Sequence, residues 1–554
     1  MYSTILYDAV AVTIVIFVMV SSYRAVRKNK LRVRFLTELE EYCLELRHRY
    51  GECGVLSDAV FASFSPARKA VRDFTFGMTR VFGNERTAGL TVERFASELK
   101  DPYEKLLLSV CRMVDEYGDN RKGSFGETIL KIVIDIREER RHLARRSHGF
   151  KGLTATAVIP CLFVRFLGNW GMDTIPSLTA FYHGRGGVWL RALIPALALL
   201  CAGGVRILAD PVSFRERFYA VCRRAGILRP PAGIMKGFNK RLRTRLEKLD
   251  IRVGVGRVWF LSFAAAGVFF AVTFAGTVLG VADRKHDLLC DTSDIENTLR
   301  IADSAQINAA RRVIPYLMVN TLEGTLSFTE SELRDVISEA GIRTEEGVSA
   351  VAAEFRARLE RYSEEGIDLW DVGFIFLMSV MGWLAPAVGL VILGTVLDSR
   401  IKEEVMQFET VIDMEKDVNG MTVPIMLESM MSFASVTKGA LIRTIMDYNT
   451  CGTRAFSHLA DFGNERSLKR LAGFFVMTDV LGIGHAFDEI SEELDGMREE
   501  KRLDRSMRLE DEVMLAGILG VLPGGLVVFG YLLVPFIARS LEMFNTYSDS
   551  LGMM

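Results

Sequence analysis

Six stretches of the chain are apolar over a length that suits a membrane-crossing helix, which takes about 20 residues. They run from Ile5 to Val20, Leu153 to Leu167, Val188 to Val205, Val258 to Ala282, Val372 to Leu397 and Val513 to Ala538. The second is short and carries Arg165. Between the spans the pattern becomes that of amphipathic helix. Phe35, Leu36, Leu39, Tyr42, Cys43 and Leu46 recur at helical spacing, a Gly51/Gly54 break follows, and Leu56, Ala59, Val60 and Phe64 mark another helix. Strand-type alternation is almost absent. The pattern predicts an all-α polytopic membrane protein with about six transmembrane helices and two cytoplasmic helical-bundle domains.

Charge sets the expected topology. No basic residues precede the first span, and Arg24, Arg27, Lys28, Lys30, Arg32 and Arg34 follow it, which reads as an uncleaved anchor with its N-terminus outside. Alternation from there gives an anchor (1–22), a first cytoplasmic helical domain (23–150), a transmembrane hairpin (151–208) and a basic cytoplasmic linker (209–257). A span (258–282), an extracytoplasmic acidic helical insert (283–370) and another span (371–397) follow. A second cytoplasmic domain (398–512) and a C-terminal span with a short tail (513–554) complete the chain. Residues 211–257 carry 13 Lys/Arg against 3 Asp/Glu, and residues 283–370 carry 10 against 18. Both biases agree with the alternation. Within the insert, Glu332 to Ile337 and Val351 to Leu359 read as amphipathic helix. The expected location is the inner (cytoplasmic) membrane of a cell, crossed several times.

The two cytoplasmic regions share an ordered series of features. In the first, Met113, Asp115 and Gly118 form M-x-D-x-x-G; Phe125 and an apolar helix through Ile129, Ile132 and Ile136 follow, then Arg137-Glu138-Glu139-Arg140-Arg141, then membrane. In the second, Met477, Asp479 and Gly482 are followed by Phe487, Ile490 and Leu494, then Arg498-Glu499-Glu500-Lys501-Arg502, then membrane. The order reads as one module used twice, with convergent amphipathic helices as the alternative.

Two helical cytoplasmic domains, each feeding a span through an R-E-E-x-R helix, resemble the F-domain family of type II secretion. Its members are inner-membrane platform proteins of type II secretion, of type IV and Tad pili and of the archaeal flagellum. The resemblance covers Arg34 to about Pro160 and Glu404 to about Gly530, and includes FLTELEEYCLELRHRYGECGVLSDAV at the start of the first domain. The anchor, the basic linker and the acidic insert depart from minimal members. The resemblance implies a scaffold that binds a cytoplasmic hexameric secretion or pilus ATPase and pilin-like subunits in the bilayer. A homodimer is compatible with it. The rival reading is a transporter or receptor with a ligand-binding external insert; the absence of ionisable residues from the fourth and fifth spans weighs against transport.

Catalytic patterns do not add to this. The phosphate-binding G-x-x-x-x-G-K-[ST], H-E-x-x-H and G-x-S-x-G are absent, and the seven histidines form no ligand-spaced cluster. The reading is of a non-enzyme with no cofactor or metal. The net charge of −1 provides no general attraction to nucleic acid. Eight cysteines include no C-x-x-C pair, and only Cys290 falls on the expected outer side. The candidate partner surface is the basic runs Arg137 to Arg146 and Arg498 to Arg508, centred on Arg137, Arg140, Arg141, Arg145, Arg498, Lys501 and Arg502. The same residues also serve the positive-inside rule and ordinary helix pairing. Gly276 and Gly280, and Gly520 and Gly524, permit close helix approach, either between two copies or within one chain. Arg165 and Asp8 lie near the outer ends of their spans, where snorkelling or a cross-helix pair is open to them. Pro523 and Pro535 are expected to kink the sixth span.

Overall fold

The computed structural model of the chain describes residues 2–65, 69–83, 92–119, 125–175, 178–226, 254–290, 304–322, 330–340, 342, 345–418, 420–462 and 466–552. Among these the chain is helical, with no strand. Six helical stretches are long and apolar enough to cross a membrane. The basic run Lys240 to Arg245 and Pro230-Pro231 lie outside the described residues.

Helix α1 (Tyr2–Cys53) joins the first span to the first lobe without a break. No glycine or proline occurs between Tyr2 and Tyr50, so nothing interrupts the hydrogen-bond ladder. At 1.5 Å per residue it is about 78 Å long, more than twice a bilayer core of roughly 30 Å. Tyr7, Ala11, Val15 and Val18 are buried along its first half, and Leu36, Leu39, Tyr42, Cys43 and Leu46 along its second. The helix runs through Gly51 and ends at Gly54, whose φ of 69° is left-handed. The expected Gly51/Gly54 break is thus made by Gly54 alone: Gly51 is one weak helix former inside a well-packed helix, whereas Gly54 supplies the conformation that ends it.

The first lobe continues with α2 (Leu56–Ala62), α3 (Arg72–Phe82), α4 (Val92–Glu98), α5 (Pro102–Tyr117) and α6 (Phe125–Gly149). Asp101 accepts from Tyr103 N at 3.0 Å and, with Pro102 at the first helical position, starts α5. Gly152, at φ 87°, turns the chain into the membrane. There α7 (Leu153–Val158), α8 (Pro160–Thr174), α9 (Thr179–His183) and α10 (Arg185–Ala209) follow, and α11 (Pro211–Arg224) leaves. The fourth span is α12 (Val255–Cys290). Beyond it α13 (Ser304–Leu322), α14 (Glu330–Glu339) and α15 (Glu345–Glu364) enclose Val313, Ile314, Leu317, Ile337 and Phe355. This small bundle is the acidic insert. It is tied to α12 through Arg284 and Glu365, 3.0 Å apart.

Helix α16 (Leu369–Glu415) repeats the plan of α1, running from the fifth span into the second lobe. The second lobe holds α17 (Val423–Phe433), α18 (Lys438–Cys451), a 3₁₀ turn (Gly452–Phe456), α19 (Ser457–Ala460) and α20 (Arg466–Leu481). From it α21 (Ile483–Gly525) returns to the membrane. A π-helical stretch, Leu526–Leu533, then leads to α22 (Val534–Gly552).

The two lobes share one backbone register. Glu38 matches Glu404, Tyr42 matches Phe408, Gly54 matches Gly420 and the start of α3 at Arg72 matches that of α18 at Lys438, all at one constant separation. After a two-residue shortening, α5 matches α20 end for end, and Gly118 (φ 76°) matches Gly482 (φ 75°). Buried side chains coincide too: Leu39 with Val405, Leu46 with Ile412, Ser63 with Ser429, Leu107 with Leu471. The matching extends to a capping device. Glu38 accepts from Ala70 N at 2.6 Å just before α3. Glu404 accepts from Val436 N at 2.6 Å and Thr437 N at 2.9 Å just before α18.

The lobes are nevertheless packed together. One continuous hydrophobic cluster runs from Leu36 through Ile136 to Val405 and Phe487. The apolar faces of the two expected helical-bundle domains meet each other. Tyr103 of α5 packs edge-on against Phe433 of α17 with ring centroids 5.2 Å apart, and Lys131 of α6 lies 3.1 Å from Asp413 of α16.

Candidate functional site

The basic run after Ile136 divides by helix face. Arg137 donates to Glu40 Oε1 at 2.5 Å and Arg140 lies 3.0 Å from Glu40 Oε2, so both are drawn onto α1. Arg141 and Arg145 point outward and are exposed. Arg146, next in line, is buried. It donates to the Leu208 carbonyl at 2.6 Å and the Ala209 carbonyl at 2.9 Å, and lies 3.1 Å from Glu512. One guanidinium thus caps the end of α10 and ties it to α6 and α21 where the lobes meet the spans. The side chains of Arg498, Lys501 and Arg502 lie outside the described residues, as do those of Asp479 and Glu500.

Glu415, the last residue of α16, is fully buried in the second lobe. Ser429 Oγ donates to its Oε1 at 2.6 Å, and Oε2 has no hydrogen-bond partner among the described residues. Burial pushes the carboxyl up to about 8.

The candidate packing glycines each face a helix of the same chain. A side chain at Gly276 would collide with the Tyr7 ring, and one at Gly280 would meet Val188 at 3.3 Å. One at Gly520 would lie 2.9 Å from Thr156 Oγ1, and one at Gly524 would rest 3.4 Å from Pro160. In this fold the small residues seat α1, α10, α7 and α8.

Toward the insert side of the bundle, α1, α8, α9, α10 and α12 line a partly open cavity of about 250 Å³ whose walls include Thr4, Arg165, Asn169, His183, Arg191 and Asp283 beside apolar side chains. Asp283 accepts from Tyr2 N at 2.7 Å and Ser3 N at 2.8 Å, so it caps α1 from α12. Arg165 reaches Asp8 at 3.0 Å, the cross-helix alternative to snorkelling, although the Arg165 side chain stays largely exposed. His183 faces Asp287 at 3.2 Å. Arg191 donates through Nε to Tyr531 Oη at 3.0 Å and through Nη1 to Thr4 Oγ1 at 3.3 Å. No carboxylate of the described residues lies within ion-pair distance of it.

Tyr531 belongs to the π-helical stretch and is fully buried, its hydroxyl against Gly168. The prolines explain the local geometry. Pro535 has no N–H to return to the Tyr531 carbonyl four residues earlier, and Tyr182 Oη donates to that carbonyl at 3.1 Å instead. The sixth span, where Pro523 and Pro535 predict a kink, contains a widened helical segment held by a tyrosine. Such segments recur at functional positions.

Arg191 was the residue that sequence reasoning missed. Its signal was present, a charge inside the apolar run Val188 to Val205. What the sequence did not carry was its surroundings: one guanidinium among Tyr531, Thr4 and a cavity. Chemically the Arg191 guanidinium is a donor that can face an anionic or carbonyl oxygen. Compared with models of protein families, with curated proteins and with solved structures, the chain matches none.

Proposed function

We propose that this chain is a membrane-embedded assembly platform of a secretion or type IV pilus-like machine, with its lobes in the cytoplasm and its N-terminus and insert outside. In this reading a separate hexameric ATPase engages the lobes, and pilin-like subunits meet the spans. The observation that carries the reading is mechanical. Helices α1, α16 and α21 each run unbroken from the shared lobe core into the bundle, and Arg146 ties α6, α10 and α21 at their junction. A load on the lobes is thereby transmitted to the spans through close-packed rods rather than flexible loops. The duplicated architecture fits the F-domain resemblance, and the exposed Arg141 and Arg145 offer a positive surface to an acidic partner.

The test is capture of the detergent-solubilised full-length chain by a hexameric secretion-type ATPase from the same cell. Arg141→Glu with Arg145→Glu should weaken capture by roughly tenfold or more at low salt. Absence of capture, together with normal filament assembly after deletion of the gene, refutes the platform. The cavity around Arg191 favours a second reading, a receptor for an anionic solute. Binding of such a solute to the isolated chain that is lost in Arg191→Gln, without any ATPase capture, selects it.

A further inference from the structure

Between its two buried halves, α1 is exposed on every face from residue 23 to residue 31. This segment carries Arg24, Arg27, Lys28 and Lys30, and no carboxylate of the described residues lies within ion-pair distance of them. Spaced three and four residues apart on one helix, Arg24 repels Arg27 and Lys28, and Arg27 repels Lys30. The depth of the segment follows from helical rise. Val20 ends the first apolar run, and at 1.5 Å per residue Arg24 and Arg27 lie about 6 and 10 Å past it. A headgroup layer is roughly 5–7 Å thick on each side of a bilayer, so these side chains stand at its phosphates.

Helix α11 lies at the same level. It starts one residue past the end of α10, where Asp210 caps it by accepting from Ser213 N at 3.1 Å. Lys28 Nζ of α1 reaches Ser213 Oγ at 3.5 Å. The far end of α11 returns to the bundle: a side chain added at Gly226 would lie 3.1 Å from Phe260, in the fourth span. A helix of 14 residues, about 21 Å long, whose two ends both sit at span ends lies along the bilayer surface. Its inner stripe, Phe214, Phe218 and Cys222, packs into the lobe core, and Arg215 donates to the Ser435 carbonyl at 2.7 Å.

The outer face of α11 holds Arg217, Arg223 and Arg224, all exposed and without an ion partner among the described residues, against one exposed carboxylate, Glu216. Tyr219 and Val221, 39% and 50% exposed, flank the arginines. An aromatic and an aliphatic side chain beside arginines, on a helix lying in the interface, suit acyl chains below and phosphates above.

We propose that Arg24, Arg27 and Lys28 of α1, with Arg217, Arg223 and Arg224 of α11, form a collar that binds the headgroups of anionic phospholipid on the lobe side of the bilayer. The depth of α1, the two span-anchored ends of α11 and its flanking Tyr219 and Val221 favour lipid over an acidic protein. The lipid phosphates supply the negative charge that the chain itself does not place there. The site requires only that the spans cross a bilayer, and it stands apart from any ATPase.

The test is amide hydrogen exchange of the full-length chain in nanodiscs of phosphatidylcholine, alone or with about one third phosphatidylglycerol. Exchange over residues 23–31 and 216–224 should slow about fivefold or more in the anionic discs, and high salt should shrink the gain. Arg217→Gln with Arg223→Gln and Arg224→Gln should abolish the gain over residues 216–224, whereas Lys at the same three positions should keep it. Arg24→Gln with Arg27→Gln should abolish it over residues 23–31. Exchange over α5 in neutral discs should be the same in every variant, which shows that the fold is kept. Equal exchange in the two kinds of disc, or a gain that survives the Gln substitutions, overturns the proposal. Equal slowing by inorganic phosphate in neutral discs overturns the assignment to lipid in favour of a free anion. Slowing by an added acidic protein, where phosphatidylglycerol has no effect, overturns it in favour of a protein partner.

Discussion

Glu404 holds the second lobe together at one point, and removing it gives the most direct test of the duplicated capping device. Its carboxylate is 5% exposed and accepts from three successive backbone amides, Ser435 N at 2.9 Å, Val436 N at 2.6 Å and Thr437 N at 2.9 Å. Thr437 Oγ1 adds a fourth bond at 2.8 Å, and Ser435 Oγ a fifth. In Glu404→Ala the hydroxyls rotate to other acceptors, but the amides before α18 lose their partner. An unsatisfied buried donor costs about 1–3 kcal/mol, and loss of a helix N-cap about 1 kcal/mol. Partial hydration of the amides brings the sum to roughly 3–5 kcal/mol, at the high end for a single substitution. Glu38→Ala should cost only about 1 kcal/mol, because its carboxylate is more exposed and its backbone bond is to Ala70. A chain of several packed units does not unfold in one step, so the readout is hydrogen exchange over residues 435–441. Protection there should fall on the order of a hundredfold in Glu404→Ala, the equivalent of about 3 kcal/mol. Protection within threefold of the unsubstituted chain would refute the capping argument.

Four further outcomes follow from particular contacts. The Glu415 carboxyl is raised from 4.5 to about 8 by burial, so its stabilising share is complete below pH 4.5 and is lost as pH rises through about 8. Glu415→Gln should therefore unfold at higher temperature than the unsubstituted chain at pH 8.5 and show no such gain at pH 4.5, read by the intrinsic fluorescence of thermal melts. Gly276→Val drives a side chain into the Tyr7 ring and should cost about 1–3 kcal/mol, seen as faster proteolysis of the purified protein. Gly524→Ala meets only Pro160 at 3.4 Å inside a helix and should be neutral or slightly stabilising in the same assay. Tyr182→Phe leaves the Tyr531 carbonyl without its donor, a loss of about 1–3 kcal/mol that faster exchange of the amides around residue 531 should report.

The sequence by itself determined the features that depend on neighbours along the chain. The six spans lie inside helices, since apolar length and the lack of helix breakers act locally. The two M-x-D-x-x-G motifs end in glycines of matching left-handed conformation, as a helix stop needs. The tertiary structure decided what each buried face meets. It joined the two lobes into one core, because an amphipathic stripe states that a face must be covered and not by what. It placed Arg137 and Arg140 on Glu40 and left Arg141 and Arg145 exposed, because one charged run winds around a helix through every direction. It also surrounded Arg191 with Tyr531 and Thr4, residues from opposite ends of the chain that only packing brings together.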